Sequence, residues 1–460
     1  MDILQQMKQF LEPQSVALVG LTRRTGEDSF NVMENLLSYG YQGKMFPINP
    51  STSEILGIKT YPRVTEIPEP VDLAIIATPR NLVPHLLHEC SQKGIRSAVV
   101  FAQGFADAID DEGKQLHHQM LNVIENNGIR IVGPNTFGTA NAFINFSSSF
   151  FRQKLKKWPI GVICQSGMFY IGFPELTMTG KGIDLGNACD IGFVEGLQYF
   201  EDDPQTRVIA LHIEGMKDPA NFTRIARKVA RKKPLVALKT GRNEQAARAA
   251  ESHTGSLTGR DEIWDTALNQ AGVIRVSDLQ ELVDITRAFT VLPPLENPNV
   301  AVASLSGALG IMTLDACTNT ALKLGKLSPR TQKGIESISP PWLKIGNPID
   351  IWPVMMSSPN VFTPLIDSLN TLLSDPQLGA VIFIGAAFDE KWATGLPQFL
   401  TDLAVRHPDK PFACCIYGPN GDDAIKGLQE AGKIAAYPTP ERAIRALARI
   451  YEYSQLRSRL

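Results

Sequence analysis

A histidine among small hydroxyl residues and glycines is the stretch of this chain whose residue types most suggest chemistry. Residues 251–259 read Glu-Ser-His-Thr-Gly-Ser-Leu-Thr-Gly, with His253 in third place. Regular patterns on both sides predict that this stretch is a loop between two elements. Such a loop can bring backbone N–H groups and hydroxyls close to an anion. An imidazole there can serve as a base, a ligand or a phosphate acceptor, and the competing interpretation is a polar surface loop.

Two further candidates follow predicted strands in the same part of the chain. Ser166-Gly167 comes after the strand 161–164 and opens a helical pattern, which favours phosphate binding or simple N-capping by Ser166. Glu214 ends the strand 208–213, and it is either a surface acid or a carboxylate that orients an imidazole. Because parallel strands end at one edge of a sheet, we expect Ser166, Glu214 and His253 to lie close together.

The first 135 residues alternate between apolar strands and amphipathic helices, which predicts a parallel sheet with right-handed crossovers. Polar turns at 20–26, 77–80, 101–105 and 133–136 follow four of these strands. They predict a ligand cleft at one sheet edge, with plain strand-to-helix turns as the alternative. The first turn lacks the Gly-x-Gly-x-x-Gly spacing, which argues against a nicotinamide-dependent dehydrogenase. The candidate ligand-binding residues are Gly20, Thr22, Arg23, Arg24, Thr25, Ala77, Thr78, Pro79, Arg80, Gln103, Gly104 and Asn135.

A third α/β unit follows the proline-rich linker Leu292 to Asn299. It begins with the strand 299–305, a tight turn at 306–310 and a helix expected to run to Leu324. This turn resembles a second phosphate turn, but no titratable residue accompanies it in the sequence, so we interpret it as a structural turn.

Composition narrows the classes of function. The chain has 460 residues, 43% of them hydrophobic, and a net charge of -2, so no basic field would attract nucleic acid. We find no signal-peptide pattern and no apolar run of 18 residues, which predicts no membrane span. Six scattered cysteines without a CxxC pair indicate a reduced, cytoplasmic protein. The histidine pairs 85/88 and 117/118 lack a third nearby ligand, so we predict no metal site.

Four motifs and the order of elements resemble a known family. Gly-Pro-Asn at 133–135, Gln-Ser-Gly at 165–167, and the histidine loop at 252–259 together with Ile-Glu-Gly at 213–215 are similar to the α subunits of nucleoside-diphosphate-forming acyl-CoA synthetases. The ADP-forming acetyl-CoA synthetase type is the nearest in appearance, and succinyl-CoA synthetase is a more distant relative. Departures from the family pattern include Cys164 and Met168-Phe169, which bear on substrate choice.

The resemblance implies an α/β fold with three domains. These are an N-terminal Rossmann-like CoA-binding domain at 1–145, a ligase domain with a phosphohistidine loop at 146–295, and a third domain at 296–460. The second and third would be flavodoxin-like parallel-sheet domains.

The resemblance also implies an activity. The family reversibly converts acyl-CoA, phosphate and ADP to a carboxylic acid, CoA and ATP, through an acyl phosphate and a phosphohistidine. His253 falls on the phosphorylated position, Glu214 on the acid that holds it, and Ser166-Gly167 on the phosphate site. The candidate turn residues would contact CoA. A separate ATP-grasp β subunit carrying Mg-ADP or Mg-ATP, in an α2β2 assembly, would complete the enzyme. The alternative is a non-catalytic CoA- or acyl-CoA-binding regulatory protein of the same fold.

Overall fold

The computed structural model describes residues 2–22, 24–26, 29–171, 180–246 and 260–458. The chain forms two compact units, Met1–Val283 and Asp284–Leu460. The first unit contains two of the three large sheets, and the second unit contains the third. Two predicted site residues, Arg23 and His253, lie outside the described residues.

The first sheet consists of five parallel strands in the order β2-β1-β5-β6-β7. The central strands are buried along their whole length, as expected for a parallel sheet covered on both faces. In register, Val19 lies opposite Ile76, and Ile76 opposite Val100, so the turns that follow these strands meet at one edge. The strands, including a small hairpin of β3 and β4, are β1 (Ser15–Val19), β2 (Lys44–Ile48), β3 (Glu54–Ile55), β4 (Ile58–Lys59), β5 (Leu73–Ile76), β6 (Ser97–Val100) and β7 (Arg130–Val132).

Four helices accompany this sheet. Their ends follow local capping chemistry. The Asn31 side chain accepts from the backbone N–H groups of Met33 and Glu34, and Gly40 closes the same helix in the left-handed conformation, with φ 74°. The helices are α1 (Ile3–Leu11), α2 (Val32–Tyr39), α3 (Val83–Lys93) and α4 (Asp111–Asn127).

The second sheet has seven strands in the order β14-β13-β12-β10-β11-β8-β9. Five of them are parallel, whereas β8 pairs antiparallel with β11 and β9 antiparallel with β8. The predicted domain boundary at 145 falls between β8 and β9. The strands are β8 (Thr139–Asn141), β9 (Phe146–Ser147), β10 (Ile160–Cys164), β11 (Lys181–Asp184), β12 (Val208–Ile213), β13 (Leu235–Lys239) and β14 (Val273–Val276). The described helices are α5 (Met168–Ile171), α6 (Phe193–Asp202), α7 (Pro219–Ala230), α8 (Asp261–Gln270) and α9 (Leu279–Val291).

The buried Lys181 of the second sheet contacts the residue that follows helix α1. Lys181 is 1% exposed, and its Nζ donates to the Tyr199 hydroxyl at 2.8 Å and to Asp203 at 2.9 Å. It also contacts Glu12, just after α1, at 3.2 Å. Because an ammonium is stable in the interior only when paired, this network ties the first two sheets into one unit.

The third sheet is parallel, in the order β16-β15-β18-β19-β20, with β17 paired to β15. The predicted helix to Leu324 is wrong beyond Cys317. The Thr320 hydroxyl donates to the Cys317 carbonyl and accepts from Leu322 N–H, which turns the chain into a strand. The strands are β15 (Asn299–Ser304), β16 (Lys323–Leu324), β17 (Ile349–Asp350), β18 (Ala380–Ala386), β19 (Phe412–Tyr417) and β20 (Ala435–Tyr437). The helices are α10 (Gly307–Cys317), α11 (Pro329–Glu336), α12 (Ile351–Met356), α13 (Phe362–Leu373), α14 (Glu390–Arg406), α15 (Gly421–Ala431) and α16 (Pro440–Arg457).

Among the described residues, no helix is both long and apolar enough to cross a membrane. The same residues contain no group of three or more His, Cys, Asp or Glu side chains arranged to hold a metal ion.

Candidate active site and ligand cleft

Ser166 and Glu214 lie at the ends of neighbouring parallel strands. Cys164 of β10 is in register with His212 of β12, so the next residues of both strands emerge together. The Gln165 side chain joins them, because its Oε1 accepts from the backbone N–H of Glu214 at 2.7 Å and of Gly215 at 3.1 Å. The structure therefore brings together two of the three residues expected at this edge, and His253 lies outside the described residues.

Lys239 binds the backbone carbonyl of Glu214, whereas Gln165 binds its backbone N–H. It is the last residue of β13 and is 1% exposed. Its Nζ donates to the backbone carbonyl of Glu214 at 2.8 Å and to that of Thr240, and it lies 5.3 Å from the centre of the Trp264 ring. Burial lowers the pKa of Lys239 to about 8. The Glu214 backbone is thus fixed through both its N–H and its carbonyl.

Gly167 has a packing reason to be glycine. A Cβ atom at this position would lie 1.9 Å from Cδ2 of Phe137, well inside van der Waals contact. Helix α5 begins immediately afterwards at Met168, and Ser166 is half-buried. The Phe169 ring stacks on the His212 imidazole with centroids 3.8 Å apart, which gives the bulky residue at this position a partner on β12.

A buried carboxyl group stands beside this edge. Asp184, the last residue of β11, is 2% exposed and accepts from Phe137 N–H at 2.6 Å and Gly186 N–H at 3.2 Å. Burial raises the pKa of Asp184 to about 6, and the negative charge of Glu214 adds to the rise. The edge thus contains two carboxyl groups in different surroundings.

Sequence reasoning missed Gln165, Lys239 and Asp184 as parts of the site. Gln165 and Lys239 had an available signal, because each is a polar residue at the end of an apolar strand, whereas Asp184 ends the strand Lys181–Asp184, which the sequence did not predict. Only the pairing of the strands shows which backbone atoms they reach.

The edge of the first sheet holds the predicted ligand-binding turns. A Cβ on Gly20 would lie 2.5 Å from Cγ2 of Thr78 and 2.8 Å from the carbonyl oxygen of Ala77, so only glycine lets these two turns approach. The Thr78 hydroxyl is buried without a hydrogen-bond partner. A buried hydroxyl in that state calls for an acceptor or donor from a ligand or water.

Arg80 braces the neighbouring turn. Its Nη1 donates to the Gly104 carbonyl at 2.8 Å, and its Nη2 contacts Asp110 at 3.0 Å and Glu112 at 2.8 Å. These carboxylates neutralise much of the charge that a ligand would meet. Its role in ligand binding stays a prediction.

The remaining candidates in these turns are less enclosed. The Thr22 hydroxyl accepts from Arg24 N–H at 3.1 Å, and Asn31 Nδ2 donates to the carbonyls of both residues. The exposed candidates are Arg24, Thr25, Pro79 and Gln103.

Asn135 links the two sheet edges. It lies in the left-handed region with φ 59°, and its Nδ2 donates to Asn187 Oδ1 at 3.2 Å. Asn187 in turn donates to Asp107 at 2.9 Å, and Asp107 accepts from the backbone N–H groups of Gly104 and Phe105. This chain of hydrogen bonds runs from the turn after β6 to the turn after β11. It joins predicted ligand-binding turns of the first sheet to the carboxyl edge of the second sheet, where β11 lies next to β10.

Comparisons with known proteins agree with this geometry. Residues 14–142 match the model of a CoA binding domain, and residues 157–289 match the model of a succinyl-CoA ligase like flavodoxin domain. The α subunit of acetate–CoA ligase [ADP-forming] I of Pyrococcus furiosus is 33% identical, over 98% of this chain and 99% of its own. The chain belongs to the ADP-forming acetate–CoA ligase family. This membership confirms the family resemblance and the fold class expected from the sequence.

Other family members differ in length. The α subunit of isoenzyme II of Pyrococcus furiosus is 36% identical, over 94% of both chains. Acetate–CoA ligase [ADP-forming] II of Archaeoglobus fulgidus is 33% identical over 98% of this chain, which spans only 67% of that longer protein. The solved acetyl-coenzyme A synthetase 1 of Candidatus Korarchaeum cryptofilum, in complex with phosphate and ADP, superposes with a TM-score of 0.88 and 29% identity, covering 99% and 98% of the two chains.

Proposed function

We propose that this chain is the α subunit of a nucleoside-diphosphate-forming acyl-CoA synthetase. The reaction reversibly converts acyl-CoA, phosphate and ADP to a carboxylic acid, CoA and ATP. The observation that carries the proposal is the match to separate α subunits over nearly their whole length. The hydrogen bonds that join the turns after β6 and β7 to the turn after β11 support it, because a thioester bound at the first edge has to reach the second.

The proposed reaction has three steps. Phosphate attacks the thioester carbonyl, CoA leaves as the thiolate, and an acyl phosphate forms. A ring nitrogen of His253 then attacks phosphorus, which releases the carboxylate and leaves a phosphohistidine. ADP finally takes the phosphoryl group and becomes ATP. Backbone N–H groups at Ser166-Gly167 stabilise the phosphate oxygens.

Glu214 is assigned to the second ring nitrogen of His253. A carboxylate there fixes the tautomer, so that the attacking nitrogen is unprotonated, and it offsets the positive character of the phosphorylated ring. Gln165 and Lys239 support this role, because they fix the Glu214 backbone on both sides.

The central test follows labelled phosphate onto His253. With acyl-CoA present, the wild-type chain should acquire label that is lost in acid and survives alkali, as a phosphoramidate does. His253→Asn should abolish the label. Glu214→Gln should slow labelling roughly 10- to 150-fold, because one charge-assisted hydrogen bond contributes about 1.5–3 kcal/mol. Label that persists in His253→Asn would identify a different nucleophile.

CoA binding is tested separately. Calorimetry should detect CoA with the isolated chain and much weaker binding of NAD. Thr78→Val should weaken CoA binding about 2- to 10-fold, because it removes one neutral hydrogen bond. Thr394→Val, an exposed position on α14, is the matched control and should leave CoA affinity unchanged. Equal or tighter binding of NAD would refute the assignment.

The ADP and ATP site, with its Mg²⁺, is assigned to a separate ATP-grasp β subunit in an α2β2 assembly. Some relatives are named as α subunits, while others are longer single chains. The purified chain should therefore make no ATP from acyl-CoA, phosphate and ADP. ATP synthesis by this chain alone would refute the need for a partner.

A non-catalytic CoA- or acyl-CoA-binding regulatory protein is the alternative function. It receives no support from the comparisons, because the similar full-length relatives are named as ligases. Normal CoA binding with no label on His253 would favour it.

A further inference from the structure

A cavity of about 230 Å³ lies beside Gln165 at the carboxyl edge of the second sheet. Its walls come from the turn after β11, the first turn of α6, and the stretch from the end of β12 into the first turn of α7. Two of its aromatic rings, Phe193 and Phe222, pack edge to face with centroids 6.0 Å apart. The side chains that make its walls largely apolar are Ala188, Phe193, Val194, Met216 and Phe222.

The charged side chains that border the cavity are already engaged by the protein. Asp190 pairs with Arg130 at 2.7 Å, and Lys217 Nζ donates to the Cys189 carbonyl at 3.1 Å. The two remaining acids cap the helices that begin here: Glu195 accepts from Gly192 N–H and Asp218 from Asn221 N–H. Three of the four charged side chains are acids, which would repel an anionic acyl group, and two of them already cap helix N-termini, so the cavity suits a neutral group better than an anion.

The Gln165 side-chain amide borders the cavity and has a hydrogen-bond donor that is not used. Gln165 is 3% exposed, and its Oε1 already accepts from the backbone N–H groups of Glu214 and Gly215. Its Nε2 is buried and has no hydrogen-bond partner. Buried amide donors without a partner are rare, and a ligand oxygen beside Gln165 would supply the missing acceptor.

We propose that this cavity receives the acyl group of acyl-CoA and selects neutral, apolar acyl groups larger than acetyl. The inference rests on the proposed function, because the acyl carbon has to lie beside Ser166-Gly167, directly next to Gln165. In this placement the carbonyl oxygen accepts from Gln165 Nε2, and the rest of the acyl group enters the cavity. The cavity is several times larger than the volume of about 30 Å³ that one water-sized group occupies, whereas an acetyl group would place only its methyl group there.

An acyl-chain series tests this placement. The full-length chain is titrated calorimetrically with CoA, acetyl-CoA, butyryl-CoA, phenylacetyl-CoA and succinyl-CoA. Each added carbon should tighten binding about fourfold until the cavity is full, because a buried methylene contributes about 0.8 kcal/mol. Phenylacetyl-CoA should therefore bind at least about tenfold tighter than acetyl-CoA. Equal affinities across the series, or a preference for succinyl-CoA, would overturn the inference.

Substitutions in the wall of the cavity test whether the acyl group binds there. Met216→Trp or, independently, Val194→Phe should fill the cavity and weaken phenylacetyl-CoA binding about tenfold or more, with CoA affinity unchanged. Met356→Trp, at an exposed position in the second unit, is the matched control and should change neither. Gln165→Glu keeps the oxygen acceptor but loses the Nε2 donor, so it should weaken acyl-CoA binding selectively.

The outcomes separate this inference from the proposed function. If CoA itself fails to bind, both are refuted. If CoA binds and labelled phosphate is transferred to His253 normally in the presence of acyl-CoA, but the series is flat or the filled cavity leaves phenylacetyl-CoA binding unaffected, only the acyl cavity is wrong.

Discussion

One Ser-Gly turn follows β10 of the second sheet and another follows β15 of the third sheet, and their hydrogen bonds differ. At Ser166-Gly167 the preceding Gln165 reaches across to the next strand and holds the backbone of Glu214 and Gly215. At Ser306-Gly307 the preceding Ser304 hydroxyl closes the turn on itself, because it donates to the Ser306 carbonyl at 2.7 Å and accepts from its N–H at 3.1 Å.

The surroundings of the two turns differ as well. The first turn lies among buried polar side chains, with Lys239 and Asp184 at the ends of nearby strands. At the second turn Asp350 lies close to Gly307, although no titratable residue is near this turn in the sequence. Helix α10, which follows the turn, exposes the apolar side chains of Ile311 and Met312. The same dipeptide after a strand therefore does not define a site. A site is defined by the polar side chains that the ends of the neighbouring strands bring to the turn.

Removing the bridging polar side chain should have the largest effect. Gln165→Leu leaves two buried N–H groups without an acceptor and should lower the free energy of unfolding of the first unit by about 2–5 kcal/mol. Ser304→Ala, the counterpart in the third sheet, should lower that of the second unit by only about 1 kcal/mol. Denaturant unfolding with amide hydrogen exchange at Glu214 and Gly215 measures the difference.

Gln165→Glu is the control for this comparison, since its carboxylate still accepts from both N–H groups. It should retain slow exchange at Glu214 and Gly215. Equally slow exchange in Gln165→Leu would show that the bridge is dispensable and that the two turns are more alike than their contacts indicate.

The glycines of the two turns should respond in opposite ways. Gly167→Ala forces a Cβ against Phe137 and should lower the free energy of unfolding by about 3 kcal/mol, at the upper end for overpacking. At Gly307 the nearest atom to a Cβ is Asp350 Oδ2 at 3.8 Å, an ordinary contact. Gly307→Ala should therefore be neutral or raise stability by up to about 1 kcal/mol, because alanine favours the helix. Comparable losses at both positions in thermal unfolding would contradict this.

The buried acid beside the first turn should give that edge a distinctive pH dependence. The folded-state pKa of Asp184, about 6, is above its usual value of 3.8, so the folded state binds this proton more tightly than the unfolded state does. Stability contributed by this group is therefore present below pH 3.8 and lost as the pH rises through 6. One pKa unit corresponds to about 1.4 kcal/mol, so the loss is on the order of 2–3 kcal/mol.

Asp184→Asn removes this titration. The stability advantage of the wild type over Asp184→Asn should therefore shrink between pH 4 and pH 7, measured by urea unfolding across that range. Asp350→Asn in the third sheet, an exposed position, is the comparison variant. A constant difference between wild type and Asp184→Asn at every pH would show that Asp184 does not titrate in this range.

Sequence periodicity predicted many of the elements that position the site. The strand Val208–Ile213 has the predicted bounds, and the strand predicted at 161–164 is Ile160–Cys164, because buried parallel strands are continuous apolar runs with polar residues after them. The strand Lys181–Asp184 and the antiparallel pair at 139–147 were not predicted. They are short and contain Lys, Asp, Asn or Ser, and some of their polar groups pair with residues distant in sequence, as Lys181 does with Glu12 and Asn141 with the Leu11 carbonyl.

The sequence by itself determined the α/β alternation, the positions of the polar turns after the strands, and the motifs that identify the family. These are local properties, since a strand or a turn is encoded by neighbouring residues. Only the tertiary structure decided that Gln165 and Lys239 hold Glu214 from two sides and that Asn135 joins the two sheet edges. It also decided that Gly167 makes room for Phe137. The physical reason is that strand order and register bring together residues tens of positions apart, and no local pattern records which strand ends become neighbours.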